Sequence, residues 1–141
     1  MLAPGGGVAQ LSVDPVQGLS FGQVLPSVPE VVTPTDAARR AEVEIRGARS
    51  FTLELVLPAN MVSASGALLP LSFAPADATI TWLGHNRPPK AFDPGTPQDF
   101  RIPKRASGAA IHLGGTATPD PLQPPGSYSA TLVIIISNAG N

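Results

Sequence analysis

Gly18-Leu19-Ser20-Phe21-Gly22 is the one stretch whose residue types and spacing suggest covalent chemistry, because it matches the Gly-x-Ser-x-Gly elbow of serine hydrolases. That device needs a buried strand before the serine, a helix after it, and an acid and a histidine further along. Here Gln23-Val24-Leu25 reads as strand continuing from Leu19 and stopping at Pro26, so the setting is wrong and no catalytic residue is expected. The two histidines, His85 and His112, lack a His-x-x-His or His-Glu-x-x-His partner and a neighbouring carboxylate cluster, and the chain has no cysteine. Neither a metal site nor a cofactor is expected. His112 falls out of phase with Ile111 and Leu113, which predicts a histidine on the outer face of a strand, while His85 follows Gly84 in a turn. Gly5-Gly6-Gly7 lacks the lysine and helix of a phosphate loop. Arg39-Arg40 and Lys104-Arg105 stand among acids without an aromatic platform, and read as solvated surface.

Composition narrows the classes further. The chain has 141 residues, with 14 glycines and 17 prolines that show no three-residue period, so it is not collagen-like. Nine Lys and Arg against ten Asp and Glu provide no basic field for nucleic acid or anionic lipid. Hydrophobic residues make up 43%, enough for a core, whereas the longest apolar run, Leu132 to Ile136, is far short of the ~20 residues that span a bilayer. Without cysteine there is no disulfide framework, which leaves the compartment open. Gly7-Val8-Ala9 places small residues where a signal-peptide cleavage site uses them, so the N-terminus reads either as the end of an export signal or as a flexible leader.

The elements are strands. In Ala41-Glu42-Val43-Glu44-Ile45-Arg46 apolar and polar residues alternate, the mark of a half-buried strand. Phe51, Leu53, Leu55 and Leu57 share the inward phase of the next strand, which Pro58 ends, and Gly47-Ala48-Arg49 between the two reads as a hairpin turn. Leu69-Leu71-Phe73, Ala78-Ile80-Trp82, Phe100-Ile102 and Ile111-Leu113 are further short alternating runs. From Ser127 to Ser137 the inward phase is Tyr128, Ala130, Leu132, Ile134 and Ile136, and the additional Val133 and Ile135 predict a strand covered on both faces. Thr35 to Arg40 suggests one helical turn capped by Thr35 or Asp36. Residues 84–98 and 118–126, stiffened by proline, read as ordered irregular loops. The expected fold is an all-β, immunoglobulin-like antiparallel sandwich with an inner set of Val43, Ile45, Phe51, Leu53, Leu55, Phe73, Ile80, Trp82, Tyr128, Leu132 and Ile134.

Three segments together resemble a family of exported bacterial β-sandwich proteins catalogued as a domain of unknown function, related in pattern to spore-coat-U and fimbrial subunits. They are Leu19-Ser20-Phe21-Gly22-Gln23-Val24-Leu25-Pro26, the paired strands around Gly47, and Leu113-Gly114-Gly115-Thr116 followed by Gln123-Pro124-Pro125-Gly126-Ser127-Tyr128-Ser129-Ala130-Thr131. Ala130 stands where the family usually has glycine, the usual closing aromatic is replaced near Ser137-Asn138, and residues 84–98 match nothing in the pattern. In the last segment Pro125-Gly126 presets a turn, and Tyr128 can bury its ring while its hydroxyl reaches backbone, so this signature reads as a folding device.

The resemblance implies an extracellular location at a bacterial cell surface and a structural role without enzymatic activity. The first expectation is a filament subunit, pilus-like, in which residues 1–18 form an extended arm and 19–141 the sandwich. Val8, Leu11 and Val13 of the arm would enter a neighbouring copy by strand addition, giving a homopolymer served by an export chaperone and outer-membrane machinery. The alternative is a monomeric secreted or virion β-sandwich module for binding or spacing, in which the arm pairs within its own sheet. Which chain the arm contacts separates the two.

Overall fold

The computed structural model describes residues 12–47, 50–130 and 132–138, and every regular element among them is a strand. In chain order these are β1 (Ser12–Gln17), β2 (Glu30–Val32), β3 (Ala41–Arg46), β4 (Ser50–Val56), β5 (Asn60–Val62) and β6 (Leu68–Ser72). Then follow β7 (Ala78–Leu83), β8 (Lys90–Phe92), β9 (Gln98–Arg101), β10 (Gly108–Leu113), β11 (Gly115–Ala117) and β12 (Val133–Asn138). The fold is all-β with antiparallel sheets, and no helix is long and apolar enough to cross a membrane among the described residues.

One layer is the five-stranded sheet β1-β3-β10-β7-β8, and the other is built on β12-β4-β9. Val43 and Ile45 of β3 meet Phe51, Leu53 and Leu55 of β4 in one buried cluster, though the two strands share no ladder. That arrangement is two sheets face to face, each giving its apolar phase to the gap. A four-stranded sheet, β2-β11-β6-β5, packs over a second cluster that includes Phe21, Val24, Val32, Met61, Leu69 and Tyr128. The chain passes from β10 into β11 at Gly114, where a Cβ would strike the backbone carbonyl of Val32, so only glycine fits this close approach.

Alternation placed most of the core correctly: Val43, Ile45, Phe51, Leu53, Leu55, Ile80 and Tyr128 are buried, whereas Phe73, Trp82, Leu132 and Ile134 are half-buried. The turn at Thr35 to Arg40 is present, with Asp36 accepting from the Ala38 amide.

Five expectations need correction. β3 and β4 do not form the hairpin expected around Gly47-Ala48-Arg49, because β3 pairs with β1 and β10 while β4 pairs with β12 and β9; Gly47 takes φ 87° at the end of β3, and Ala48 and Arg49 lie outside the described residues. Alternation fixes which face of a strand is inward but is silent about its ladder partner. Residues 19–25 form no strand: Val24 makes an isolated bridge to Gly126, and Gly22, at φ 71°, turns the chain. The loop 84–98 contains β8, which pairs with β7. His112 is buried and Arg40 half-buried rather than fully solvated, for reasons given below. Finally, Val133 and Ile135 are 46% and 45% exposed, because no part of the described chain packs on the outer face of β12.

Candidate functional site

Both layers end at the same two sides. On one side, β8 and β9 are outermost and their phenylalanines seal the gap: Phe92 and Phe100 meet edge to face at 5.1 Å, and Phe51 packs on Phe100 at 5.7 Å. On the other side, β1 and β12 are outermost and, among the described residues, the gap stays open. A cleft of about 340 Å³ lies there, lined by Pro15, Leu19, Val43, Phe73, Leu132 and Ile134 among others. Its lining holds a single aromatic ring, Phe73, beside small or short residues such as Ala130 and Pro15.

β1 lies on β3 with Val13 opposite Ile45 and Pro15 opposite Val43, and the register shifts before Gln17 reaches Glu42. The strand thus runs along its own chain's sheet and turns Val13 and Pro15 toward the gap. Its side chains bury little: Val13 is 40% exposed and Val16 53%. Its far end is pinned by Gln17, whose Nε2 donates to the carbonyls of Ala37 and Arg40 at 3.0 and 2.7 Å. Of the arm residues expected at a subunit interface, Val8 and Leu11 lie outside the described residues, and Val13 occupies this edge strand.

A polar cluster sits on the outer face of the first layer. His112 on the central β10 is 7% exposed, flanked by its register partners Glu42 and Thr79, with Arg40 reaching Glu42 at 3.3 Å. Glu42 and Thr79 on the two flanks, with Arg40 paired to Glu42, shade this central-strand side chain, which is why simple alternation misjudged it. Burial first, and the Arg40 charge second, hold the His112 imidazole below its ordinary pKa, while Glu42, 3.7 Å from Nε2, pulls the other way. Arg40 also donates to the Pro34 carbonyl, and its buried Nε has no partner.

Ser20 does not sit in an elbow. Its amide donates to the Arg39 carbonyl at 2.9 Å, and its Oγ accepts from the Gly22 amide at 3.3 Å, a local turn contact. No group of three or more His, Asp or Glu comes together as a metal site among the described residues. His85 is half-buried in its turn, its carbonyl accepting from the Arg87 amide, and Lys104 and Arg105 are exposed.

The Gln123 to Tyr128 segment is a latch. The Tyr128 hydroxyl donates to the Pro124 carbonyl and accepts from Gln123 Nε2 at 2.8 Å, while the same Nε2 donates to the Leu68 carbonyl at 2.9 Å. Gln123 Oε1 accepts from the Asp120 amide, so a buried amide has its hydrogen bonds made while the tyrosine ring lies in the smaller cluster. Gly126, at φ 138°, allows the turn that brings these groups together. What the sequence could not display is the cleft itself, since a gap is the sum of side chains from distant strands. No family model, curated protein or solved structure matches this chain.

Proposed function

We propose that this chain is a self-contained, non-catalytic β-sandwich module that serves in binding or spacing at a cell or particle exterior. The observation that carries the reading is the pairing of residues 12–17 with β3 of the same chain, which fills the edge that an arm from a neighbour would otherwise occupy. Interior polar groups support it too: the Gln123 and Tyr128 latch spends its hydrogen bonds on holding the fold. An immunoglobulin-like strand order and an extracellular placement belong to the same proposal, and rest on the motif resemblance.

A filament subunit is the second reading, and one observation favours it. β1 is an edge strand held mostly through its backbone, broken in register at Pro15 and followed by Gly18, so it could be exchanged between copies at small cost in side-chain burial. Negative-stain electron microscopy of the full chain separates the two. Discrete particles, unchanged when residues 1–14 are deleted or when Leu11 and Val13 are both replaced by Asp, support the module. Filaments that disappear with either change would replace it with strand exchange, together with the export chaperone and outer-membrane partners that such a polymer implies.

A further inference from the structure

Edge strands carry unpaired backbone donors and acceptors, and proteins usually guard them with charge, proline, brevity or a bulge. Here β1 has Asp14, Pro15 and a register break; β8 has Lys90 after Pro88 and Pro89; β9 has Asp99 and Arg101; and β2 and β5 are three residues long. β12 has none of these. It is six residues long, uncharged and proline-free, in unbroken register with β4, and outermost in its sheet among the described residues.

Both faces beside this outer edge are apolar. Val133 and Ile135 are about half exposed on the outer face, where Val133 lies opposite the equally exposed Val56. On the inner face Leu132 and Ile134 border the open cleft, so side chains of an added strand would have an apolar space to enter. We propose that two copies of this chain associate by antiparallel pairing of their β12 strands, joining the two β9-β4-β12 sheets across a twofold axis.

Self-pairing is favoured by charge. A twofold axis sets each residue against the same strand of its partner, and β12 brings no like charges together, whereas Asp14 or Lys90 would come near its own kind in a β1 or β8 pair. Pairing that keeps inner residues with inner ones sets Ile134 and Ile136 together on the inner face, where Ile134 borders the cleft, and Val133 and Ile135 together outside. β1 of another copy is the poorer occupant, because Pro15 removes a ladder donor and Asp14 adds a charge. The proposal goes beyond the module reading and uses a different strand from the one that reading rests on.

Sedimentation equilibrium of the full chain over a concentration series tests it. The wild type should show a monomer–dimer equilibrium; Ile135→Lys should weaken it at least ~10-fold, and Ile135→Thr should keep it. Residue 135 is already half exposed, so circular dichroism and the thermal midpoint should stay unchanged in both variants. As a readout free of substitution, amide exchange in residues 133–137 of the wild type should slow as concentration rises, with β8 and β9 unaffected. A wild type that stays monomeric to ~100 μM overturns the proposal. So does a dimer that survives Ile135→Lys, or one lost on Val13→Asp instead, which would assign the contact to β1 and leave the module reading to its own microscopy test.

Discussion

The sealed β8/β9 side and the open β1/β12 side of the same sandwich solve one problem differently. Two stacked sheets leave a slot at each side, and water enters unless something large fills it. Phe51, Phe92 and Phe100 fill one slot with rings and guard it with Lys90, Asp99 and Arg101, whereas Pro15, Ala130 and Leu132 leave the other as a cleft. The sealed side is therefore expected to carry more of the stability, and the proposed partner surface lies on the open one.

The strongest way to break that contrast is to empty the sealed side. Phe100→Ala removes a ring that touches two others and should cost about 3–5 kcal/mol, read by chemical denaturation. Filling the open side should have the opposite sign: Ala130→Leu projects into the cleft and should add about 0.5–2 kcal/mol by the same measurement. Val13→Asp, on the open side, should cost only ~0.5 kcal/mol, because the side chain it replaces is already well exposed; a loss as large as that of Phe100→Ala would show that β1 anchors the fold.

The smallest expected effect comes from His112, in the central strand between the two sides. Its folded pKa is lowered below the ordinary value near 6.5, so as pH falls through that value the unfolded chain takes up the proton first. Stability should then decline with falling pH until the folded-state pKa is passed, and His112 should contribute no slope above neutrality. Thermal midpoints measured from about pH 7.5 to about pH 5 should fall less steeply in His112→Gln than in the wild type, and Ile135→Lys should not alter the slope.

Much of this molecule could be read from residue order alone. The alternation in Ala41 to Arg46 and Phe51 to Leu57 determined strands and their inward faces, because side chains on a strand point alternately to opposite sides. The Tyr128 half of the latch was legible in the same way: a proline and glycine preset a turn, and a tyrosine with a buried ring needs a nearby acceptor for its hydroxyl, whereas the bonds of Gln123 were not. That no helix follows Ser20 was visible from Pro26, although the strand read there instead is broken by the turn at Gly22.

Only the tertiary structure decided which strands pair, which side of the sandwich stays open, and which residues are shaded. β3 and β4 are adjacent in sequence yet lie in different layers, because ladder partners are chosen by long-range packing and every half-buried strand has the same alternation. His112 is covered by Glu42, Arg40 and Thr79 from elsewhere in the chain, and Val133 and Ile135 are exposed because nothing in the described chain reaches them. Local sequence determines the direction in which a side chain points; what it meets there depends on segments far away along the chain, whose positions are set only when the whole core closes.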